Sequence, residues 1–417
     1  MKLTRVQLDH ATDALRAVLR FDKPADAVLS GYFRQHRALG QQDRALVAES
    51  VFGVLRRSRF LRHIANGDDP RLLLLAWLAR IAGSSARELE PALRRGELEA
   101  VAAIKAARAD NLPPGDETEL PDWLIERLGA QYAPDEIVKL GRALREPAPL
   151  DLRVNTLRGE RDSILQTLAA EGIDAKATPF SPYGLRLAGR PALNRHALFL
   201  SGTLEVQDEG SQLVCALVAP RRGERVVDFC AGAGGKTLML GALMNSQGTL
   251  YAFDVSDARL RRFNPRLARS GLSNVHPQVI AGENDTRIKR LAGKVSRVLV
   301  DAPCSGFGTL RRNPDLKWRQ SPESIAELVV NQASILSAAA TLAQPGGRLV
   351  YATCSLLAEE NETIVDAFLA KRGDYRLLDC AEILAQQKIA LDTGKYLKLL
   401  PHVHGCDGFF AAVLERA

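Results

Sequence analysis

Hydrophobic residues near the N-terminus recur three and four positions apart, which is the spacing of one face of an α-helix. Leu15, Val18 and Leu19 follow this spacing. The segment DRALVAESVFGVLRR follows it too, with apolar positions at Leu46, Val47, Val51, Val54 and Leu55. Because alternating strand patterns are scarce in this part of the chain, an all-α domain is predicted over residues 1–110.

A segment rich in Pro, Gly and acidic residues follows the helical region. Residues 111–117, NLPPGDE, favour an exposed connection, so a domain boundary is predicted near residue 111. Beyond it, PDWLIERLGAQY and PDEIVKLGRALRE each begin with Pro-Asp and keep helical spacing, which predicts two more helices. LDLRVN, a helical segment from Asp162 to Glu171, and short strands around Gly184–Leu187 and Leu198–Leu200 complete a small α+β region over residues 111–205.

Strand-like and helical segments alternate in the rest of the chain, residues 206–417. The strand-like segments are VVDF, YAFDV, VHPQVI, VLVDAP and RLVYATCS. This alternation predicts an α/β domain, a parallel sheet with helices on both faces, and such sheets bind ligands at the carboxyl ends of their strands. Chemistry is therefore expected from the residues that follow the strands, namely Asp228, Cys230, Asp254, Glu283, Asp285, Asp301 to Cys304 and Thr353 to Ser355.

The stretch Val226–Leu238, VVDFCAGAGGKTL, predicts a strand, a tight loop and a helix. Its glycines let the backbone approach a ligand closely, and the first N–H groups of the helix point outward as donors. A phosphate-binding Walker loop would need glycine where Cys230 stands, and a dinucleotide motif would need a third glycine where Thr237 stands. A nucleotide-like ligand is expected here, and a turn that is merely glycine-rich is the alternative.

Asp254 closes the second predicted strand, about 20 residues after the glycine loop. A carboxylate at this place can accept hydrogen bonds from the two ribose hydroxyls of an adenine nucleoside. The alternative is a capping role for a helix that begins near Ser256. Asp254 by itself does not separate a nicotinamide dinucleotide from S-adenosylmethionine.

Cysteines follow two neighbouring predicted strands, Cys304 in DAPCS and Cys354 in YATCS. One such cysteine is more often a small buried apolar residue, but two, each followed by serine, favour a shared pocket. Carbon 5 of cytosine is a poor nucleophile until a thiolate adds to carbon 6, and a second group must later remove the carbon 5 proton. Two thiols beside a methyl donor therefore predict methylation of a pyrimidine carbon.

Several motifs together resemble the RsmB/Sun family of RNA (cytosine-5) methyltransferases. They are CAGAGGKT, DAPCSGFGT, RRNPDLKW, YATCS followed by EEN, and the terminal DGFF, while RALVAESVFGVLRR resembles the family's NusB-like N-terminal domain. The resemblance implies a Rossmann-like class I methyltransferase sheet, preceded by a small α+β region and an all-α NusB-like domain. It also implies S-adenosyl-L-methionine as the cofactor and RNA, with ribosomal RNA as the expectation, as the partner.

The resemblance further implies roles for individual residues. Cys354 is the expected nucleophile, Cys304 assists release of the methylated base, and Asp301 holds the cytosine edge. Lys317 is a candidate pocket residue, with an ordinary surface lysine as the alternative. The residues expected to contact S-adenosyl-L-methionine are Cys230, Ala231, Gly232, Ala233, Gly234, Gly235, Lys236, Asp254, Asp285 and Asp301.

The glycine loop departs from the family pattern, and three alternative functions stay open. The family loop usually reads C-A-A-P-G-G-K, whereas this chain has Gly232 and Ala233 in place of Ala-Pro, which frees the loop. A non-catalytic RNA-binding or assembly protein would tolerate that change. A nicotinamide-dependent oxidoreductase would use the loop and Asp254 but neither cysteine motif, and a DNA cytosine methyltransferase would attack with Cys304.

Length, composition and charge agree with these expectations. The chain has 417 residues, 46% hydrophobic and 25% charged, which is typical of a globular protein of two or three domains. Without a long apolar run or a signal peptide pattern, a cytoplasmic protein with no membrane partner is expected, and we expect a monomer. Six scattered cysteines favour neither a disulfide scaffold nor zinc. Residues 1–110 carry 19 Lys and Arg against 13 Asp and Glu, so their net charge of +6 favours nucleic acid, or simply a solvated surface.

Overall fold

The computed structural model describes residues 3–189 and 191–417, and the described chain divides into two compact units. The first unit runs up to Pro147 and also includes Thr309–Pro322. The second unit comprises Ala148–Gly308 and Glu323–Ala417. Within the described residues, no helix has both the length and the apolar character needed to cross a membrane.

The first unit is helical, as its sequence predicts. The helix α1 starts at a capping box between Thr4 and Gln7, and Val47, Val51 and Val54 of α3 are buried in the unit's core. The helices up to Pro147 are α1 (Arg5–Val18), α2 (Ala25–Gln35), α3 (Gln41–Arg56), α4 (Ser58–Ala65), α5 (Pro70–Arg80), α6 (Ala86–Leu89), α7 (Glu97–Ala106), α8 (Pro114–Thr118), α9 (Asp122–Gly129) and α10 (Pro134–Arg145).

The segment expected to be a linker, residues 111–117, lies inside the first unit. It forms part of α8, where Asp116 accepts a hydrogen bond at 3.0 Å from Nε of Arg59 in α4. Gly141 of α10 lies so close to Thr118 that an added Cβ would sit 2.6 Å from the Thr118 Cβ. Because α8 packs between these helices, the boundary between the compact units falls after Pro147 and not at residue 111.

The second unit begins with a small antiparallel sheet in the order β2-β3-β1-β4. Its core includes Leu152, Leu168 and Leu185. The strand predicted at Leu198–Leu200 is wrong: these residues belong to a short helix whose cap, His196, accepts a hydrogen bond from the Leu198 N–H. The elements here are β1 (Leu150–Val154), α11 (Arg161–Ala170), β2 (Ala175–Ala177), β3 (Gly184–Leu187), α12 (Ala197–Leu200) and β4 (Leu204–Val206).

The rest of the chain forms a larger sheet flanked by helices. One helix of this stretch of sequence, α17, belongs to the first unit. The elements are α13 (Glu209–Val218), β5 (Arg225–Asp228), α14 (Gly235–Leu243), β6 (Thr249–Asp254), α15 (Asp257–Ser270), β7 (Val275–Val279), α16 (Thr286–Lys289), β8 (Val295–Asp301), α17 (Leu316–Arg319), α18 (Pro322–Ala340), β9 (Ala343–Thr353), α19 (Glu362–Lys371), β10 (Tyr375–Leu378), α20 (Cys380–Gln386), β11 (Leu397–Leu399), α21 (Pro401–His404) and β12 (Phe409–Arg416).

The larger sheet has the order β10-β12-β9-β8-β5-β6-β7, and β11 pairs with β12. The predicted strands β5 to β9 are parallel, as their alternation with helices requires. The sheet as a whole is mixed, because β12, which is not among the predicted strands, runs antiparallel to β9 and to β10. The terminal DGFF motif leads into β12, and its Gly408 donates a backbone hydrogen bond at 2.8 Å to Gly308.

Candidate functional site

The strands β9, β8, β5 and β6 lie side by side in the sheet, so their carboxyl ends share one edge. Asp301 ends β8 opposite Ala352 of β9, which puts the PCS and TCS motifs on adjacent loops. Asp228 ends β5 and Asp254 ends β6. The sheet thus assembles the residues that the sequence predicts at the strand ends.

The glycine loop between β5 and α14 is held by its own backbone and by α15. Gly232 and Gly234 have positive φ angles of 56° and 81°. A Cβ on Gly234 would lie 1.9 Å from the ring of buried Phe263, so only glycine fits there. The carbonyl of Ala233 accepts a hydrogen bond at 2.6 Å from Arg266. This contact restrains the loop at Ala233, one of the two positions where the loop departs from the family pattern given above.

Asp254 is buried and faces the loop. Its Oδ2 accepts a hydrogen bond at 2.8 Å from the Gly232 N–H, and its Oδ1 accepts one at 2.7 Å from the Ser256 N–H. The helix cap of α15 is Ser256, whose hydroxyl accepts from Arg259 N–H. Asp254 therefore orients the loop, and a carboxylate oxygen can accept further hydrogen bonds from a ligand.

Asp228 is a buried carboxylate that the sequence places only at a strand end. The Thr237 hydroxyl donates to its Oδ2 at 2.6 Å, but its Oδ1 has no hydrogen-bond partner among the described residues. Burial raises the pKa of Asp228 to about 7. A buried oxygen that accepts no hydrogen bond is unfavourable, and a cationic or N–H group of a ligand would supply the missing donor.

A cavity of about 510 Å³ opens at this edge of the sheet. Asp228 and Asp254 line it together with the apolar side chains of Val255 and Ile280. Of the residues predicted to contact a cofactor, the following line the cavity: Cys230, Ala231, Gly232, Ala233, Gly235, Lys236, Asp254 and Asp301. Gly234 instead supports the loop from behind, against Phe263.

Asp285 lies outside the set of described residues that line the cavity. Its carboxylate caps α16 by accepting from the Arg287 N–H at 2.8 Å and also accepts from the Ala281 N–H at 2.9 Å. Glu283, two residues earlier, lines the cavity instead. Asp285 thus lies away from the described cavity lining, and its contact with the cofactor stays a prediction.

Lys236 and Asp301 form an ion pair with 2.6 Å between Nζ and Oδ2. Burial alone would lower the pKa of the Lys236 ammonium, but the Asp301 carboxylate raises it above its ordinary value. Lys236 also lies 5.1 Å from the ring centroid of Phe409. The pair joins the glycine loop to the loop that carries Cys304.

The sulfurs of Cys304 and Cys354 are 3.4 Å apart. Each thiol follows the end of its strand, and both side chains are partly exposed. The hydrogen bond with Cys354 and burial raise the pKa of the Cys304 thiol well above its usual value. The structure thus brings together the two thiols that the sequence predicts in one pocket.

Lys317 is neither a surface lysine nor part of the cavity lining among the described residues. It lies in the first unit with 4% of its surface exposed, and its Nζ is 3.5 Å from the Arg56 carbonyl. Burial lowers the pKa of Lys317 to about 8, although the charge of Glu119 acts in the opposite direction. Its place indicates a packing role in that unit.

Sequence reasoning missed several residues of the site, among them Val255, Ile280, Ser211 and Glu360. Ser211 lines the cavity, and its hydroxyl accepts a hydrogen bond at 3.2 Å from Gln207. Glu360 is fully buried beneath the thiols. The sequence signals for these two residues are weak. Ser211 lies near the start of a predicted helix, and Glu360 belongs to the EEN motif.

Sequence models of two families match the chain. The model described as "16S rRNA methyltransferase RsmB/F" matches residues 215–415, and the one described as "RsmF/B-like, ferredoxin-like domain" matches residues 120–194. The first match contains both thiols and every described residue of the cavity lining except Ser211, and the second contains β1 to β3. The site therefore lies almost entirely within the first match.

Relatives match over most of the chain. The probable ribosomal RNA small subunit methyltransferase B of Synechocystis sp. is 32% identical over 97% of this chain and 98% of its own length. The ribosomal RNA small subunit methyltransferase B of Shewanella oneidensis is 33% identical over 92% of this chain and 93% of its own.

Solved structures share the fold. The crystal structure of PH0851 has a TM-score of 0.80 and 25% identity, and the match covers 100% of both chains. NSun6 from Pyrococcus horikoshii with SFG has a TM-score of 0.62 and 22% identity, and the match covers 71% of this chain and 98% of that one. The Rossmann-like sheet and the helical N-terminal region thus have counterparts in a solved structure that the match covers in full.

Proposed function

Because the chain belongs to the RsmB/F family of methyltransferases, we propose that it methylates carbon 5 of a cytosine in RNA, with S-adenosyl-L-methionine as the donor. The observation that carries the proposal is the pair of sulfurs, 3.4 Å apart, on the loops that follow β8 and β9. The relatives are named for ribosomal RNA of the small subunit, which makes this RNA the proposed substrate.

The cavity fits S-adenosyl-L-methionine. Its volume of about 510 Å³ lies in the range of small-molecule sites. Asp254 can accept hydrogen bonds from the ribose hydroxyls, and Oδ1 of Asp228, which lacks a partner among the described residues, can accept from the ammonium group of the methionine part. Val255 and Ile280 offer apolar contacts to a purine. When bound, the cofactor supplies an electrophilic methyl group.

The two thiols and the ion pair of Lys236 and Asp301 act on the cytosine base. The thiolate of Cys354 adds to carbon 6 of cytosine, and the electrons of the carbon 5–carbon 6 double bond make carbon 5 nucleophilic. After carbon 5 has accepted the methyl group, removal of its proton re-forms the double bond and breaks the bond between carbon 6 and sulfur. Cys304, in its thiolate form, takes this proton, and the Cys354 sulfur leaves carbon 6 as a thiolate. Asp301 accepts from the exocyclic amino group of the base, and its ion pair with Lys236 holds the carboxylate in place.

The test compares Cys354→Ala and Cys304→Ala in the full-length protein. Each variant is incubated with a 16S rRNA transcript and S-adenosyl-L-methionine and then examined by denaturing electrophoresis. Cys304→Ala should attack and methylate but stall, giving a slowly migrating protein–RNA adduct. Cys354→Ala should give no adduct, because the covalent bond begins at its sulfur.

Cys380→Ala is the matched control, since it removes a buried thiol at the start of α20, outside the described cavity lining. It should methylate without accumulating an adduct. An adduct with Cys354→Ala alone would give the attacking role to Cys304, as in the DNA enzymes. Absence of an adduct from both active-site variants would leave the two-thiol mechanism without support.

A further inference from the structure

The first unit contains a cavity that the reaction proposed above does not use. Its volume of about 590 Å³ is similar to that of the cofactor cavity, and its lining comes from α2, α3 and the connection between them. We call this cavity the α2–α3 groove, and the charged and aromatic residues of its lining are Asp26, Phe33, Arg34, Arg37, Arg44 and Phe52. Three cations and two aromatic rings in one cavity favour an anionic ligand that also has a flat apolar surface.

The spacing of side chains along two helices produces the groove. Arg44, Ala48 and Phe52 recur every four residues, so they share one face of α3. On α2, Phe33 and Arg34 belong to the last turn, next to the connection that leads into α3. Ala48 lies between the two larger side chains of α3 and has only a methyl group, which leaves space between them. The groove is therefore open at the middle of the α3 face.

The arginines lie at the end of the groove where α2 is connected to α3. The guanidinium of Arg44 is held there, because it donates to the Leu39 carbonyl at 2.9 Å and to the Arg37 carbonyl at 3.5 Å. Arg34 and Arg37 are exposed. Within the described residues, none of the three arginines forms a salt bridge. Their charge is therefore available to an anion such as a phosphate group, which the guanidinium fork fits well.

The two phenylalanine rings line the same groove. Phe33 and Phe52 pack against the hydrophobic core of the first unit, but both remain partly exposed. The guanidinium carbon of Arg44 lies 5.8 Å from the centroid of the Phe33 ring, and that of Arg56 lies 5.7 Å from the centroid of the Phe52 ring. Aromatic rings and arginine planes are the surfaces on which unpaired bases stack in proteins that bind single-stranded nucleic acid.

One acidic side chain, Asp26, also lines the groove. It belongs to the first turn of α2, eight residues before Arg34, which is about 12 Å along the helix axis. Among the described residues, Asp26 forms no salt bridge with the arginines of the groove. The groove therefore has a cationic end and an end that disfavours negative charge. This difference favours a ligand whose phosphate lies at the first end and whose base extends toward the second.

We propose that the α2–α3 groove binds a nucleotide from a single-stranded segment of the substrate RNA. The base lies against the rings of Phe33 and Phe52, and the phosphate lies among the three arginines. A duplex does not fit this arrangement, because its bases are stacked on one another and cannot reach the rings. The inference rests on the proposed function, since it takes RNA as the substrate, and it adds a site at which the RNA is bound but not modified.

The first experiment locates the RNA on the full-length wild-type protein. A short single-stranded RNA of uridines carries one 5-iodouridine, which loses iodide on irradiation and forms a bond to a neighbouring aromatic side chain. Peptide mass spectrometry then identifies the labelled residue, which should be Phe33 or Phe52. The measurement requires neither S-adenosyl-L-methionine nor a cytosine, and it needs no variant to fold. If the RNA does not bind, or binds without labelling either ring, the proposal fails.

Competitors distinguish RNA from an acidic peptide, which could also bind to the arginines. Unlabelled oligouridine should suppress the label at a much lower concentration than polyglutamate of the same total charge, because only the RNA has bases that stack on the rings. Equal suppression by both competitors would mean that the groove selects negative charge alone. An acidic peptide would then replace RNA as the ligand, and the proposal would be wrong.

Ala48→Leu narrows the groove without changing its charge. The larger side chain occupies the space between Arg44 and Phe52, so the RNA concentration that half-saturates the label should rise about tenfold, as expected for one base that no longer stacks. Ala45→Leu is the matched control, because Ala45 is exposed on the same helix and lies outside the described lining of the groove. Equal half-saturating concentrations in the two variants would overturn the inference.

Arg37→Gln tests the phosphate contact. Affinity for a single strand falls with salt, and each phosphate contact contributes about 0.7 to the slope of log affinity against log salt concentration. Arg37→Gln should therefore make the slope shallower by about 0.7. Arg87→Gln removes the same charge from an exposed position of α6, outside the described lining, and should keep the wild-type slope. An unchanged slope in Arg37→Gln would contradict a phosphate at this end of the groove.

Methylation of the 16S rRNA transcript separates this inference from the proposed function. If the label reaches Phe33 or Phe52 but the wild-type protein methylates no cytosine, the proposed function fails while the groove stands as an RNA site. If the wild-type protein methylates cytosine and neither ring is labelled, the proposed function stands and the groove has no such role.

Discussion

Two buried carboxylates, Asp228 and Glu360, are hydrogen-bonded in opposite ways. Asp228 lines the cavity, whereas Glu360 accepts hydrogen bonds from the serines that follow Cys304 and Cys354. Asp228 is 1% exposed, and one of its oxygens has no partner among the described residues. Glu360 is 0% exposed, and donors from two loops and a helix reach both its oxygens. The open side of Asp228 faces a cavity, where a ligand can supply a donor, whereas the donors around Glu360 all come from the protein.

The largest difference between the two carboxylates should appear in stability. Glu360→Ala leaves Ser305, Ser355 and Gln332 with buried donors and no acceptor, so the free energy of unfolding should fall by about 3 to 5 kcal/mol. The measurement is urea unfolding followed by far-UV circular dichroism. Glu327→Ala, at an exposed position of α18, is the control and should shift the free energy by less than about 0.5 kcal/mol. A loss for Glu360→Ala no larger than this would mean that the network is not part of the scaffold.

A smaller effect is expected for ligand binding at the cavity. Asp254→Ala removes the proposed acceptor for the ribose hydroxyls and the anchor of Gly232, so affinity for S-adenosyl-L-methionine should weaken by about 1 to 3 kcal/mol in calorimetry. Asp285→Ala tests the other acidic position that the sequence predicts, which lies outside the described cavity lining. Its affinity should stay within about 0.5 kcal/mol of the wild type. Equal losses for both variants would restore Asp285 as a ligand residue.

The smallest effect concerns pH. Burial raises the pKa of Asp228 to about 7 in the free protein, so its carboxyl is protonated at lower pH and must lose this proton to accept from an ammonium group. Affinity for S-adenosyl-L-methionine should therefore rise with pH, by about tenfold between about pH 6 and about pH 8. The cofactor's own amino group also titrates, so the Asp228→Asn variant is measured in parallel. Identical pH dependence in both proteins would remove Asp228 from the site.

The same proton affects folding in the opposite sense. An acid with a raised pKa in the folded state binds its proton more tightly there than in the unfolded chain. Its contribution to stability is therefore present at low pH and is lost as the pH rises toward about 7. In Asp228→Asn, this fall in stability should disappear from unfolding curves recorded over that range.

The sequence predicts those parts of the site that depend on local order. The alternation of strands and helices places Asp228, Asp254, Asp301 and the thiols at one edge, because parallel strands end on the same side. It does not predict Glu360, since nothing local shows that an acid beyond the TCS motif bonds to serines of two loops. That information lies in contacts between Ser305 and Glu360, 55 positions apart.

The errors in the fold have similar causes. The antiparallel β12 enters the sheet from the end of the chain, and its pairing with β9 is a long-range contact that periodicity does not contain. Residues 111–117 have the composition of a linker, but packing of α8 against Arg59 and α10 outweighs local propensity. The apolar run Leu198–Leu200 is too short for its pattern to distinguish a strand from a helix. The structure forms a helix there, whose first turn is capped by the side chain of His196.

The division of the chain has a consequence for synthesis on the ribosome. The first unit requires Thr309–Pro322, where the Asp315 carboxylate accepts a hydrogen bond at 3.1 Å from the Ala25 N–H at the start of α2. A nascent chain exposes Ala25 long before Asp315 has been made, and the strands β5 to β8 are translated in between. Domains that are continuous in sequence fold in their order of emergence. Here the part of the protein that is made first must wait for a segment translated after Cys304 before its fold is complete.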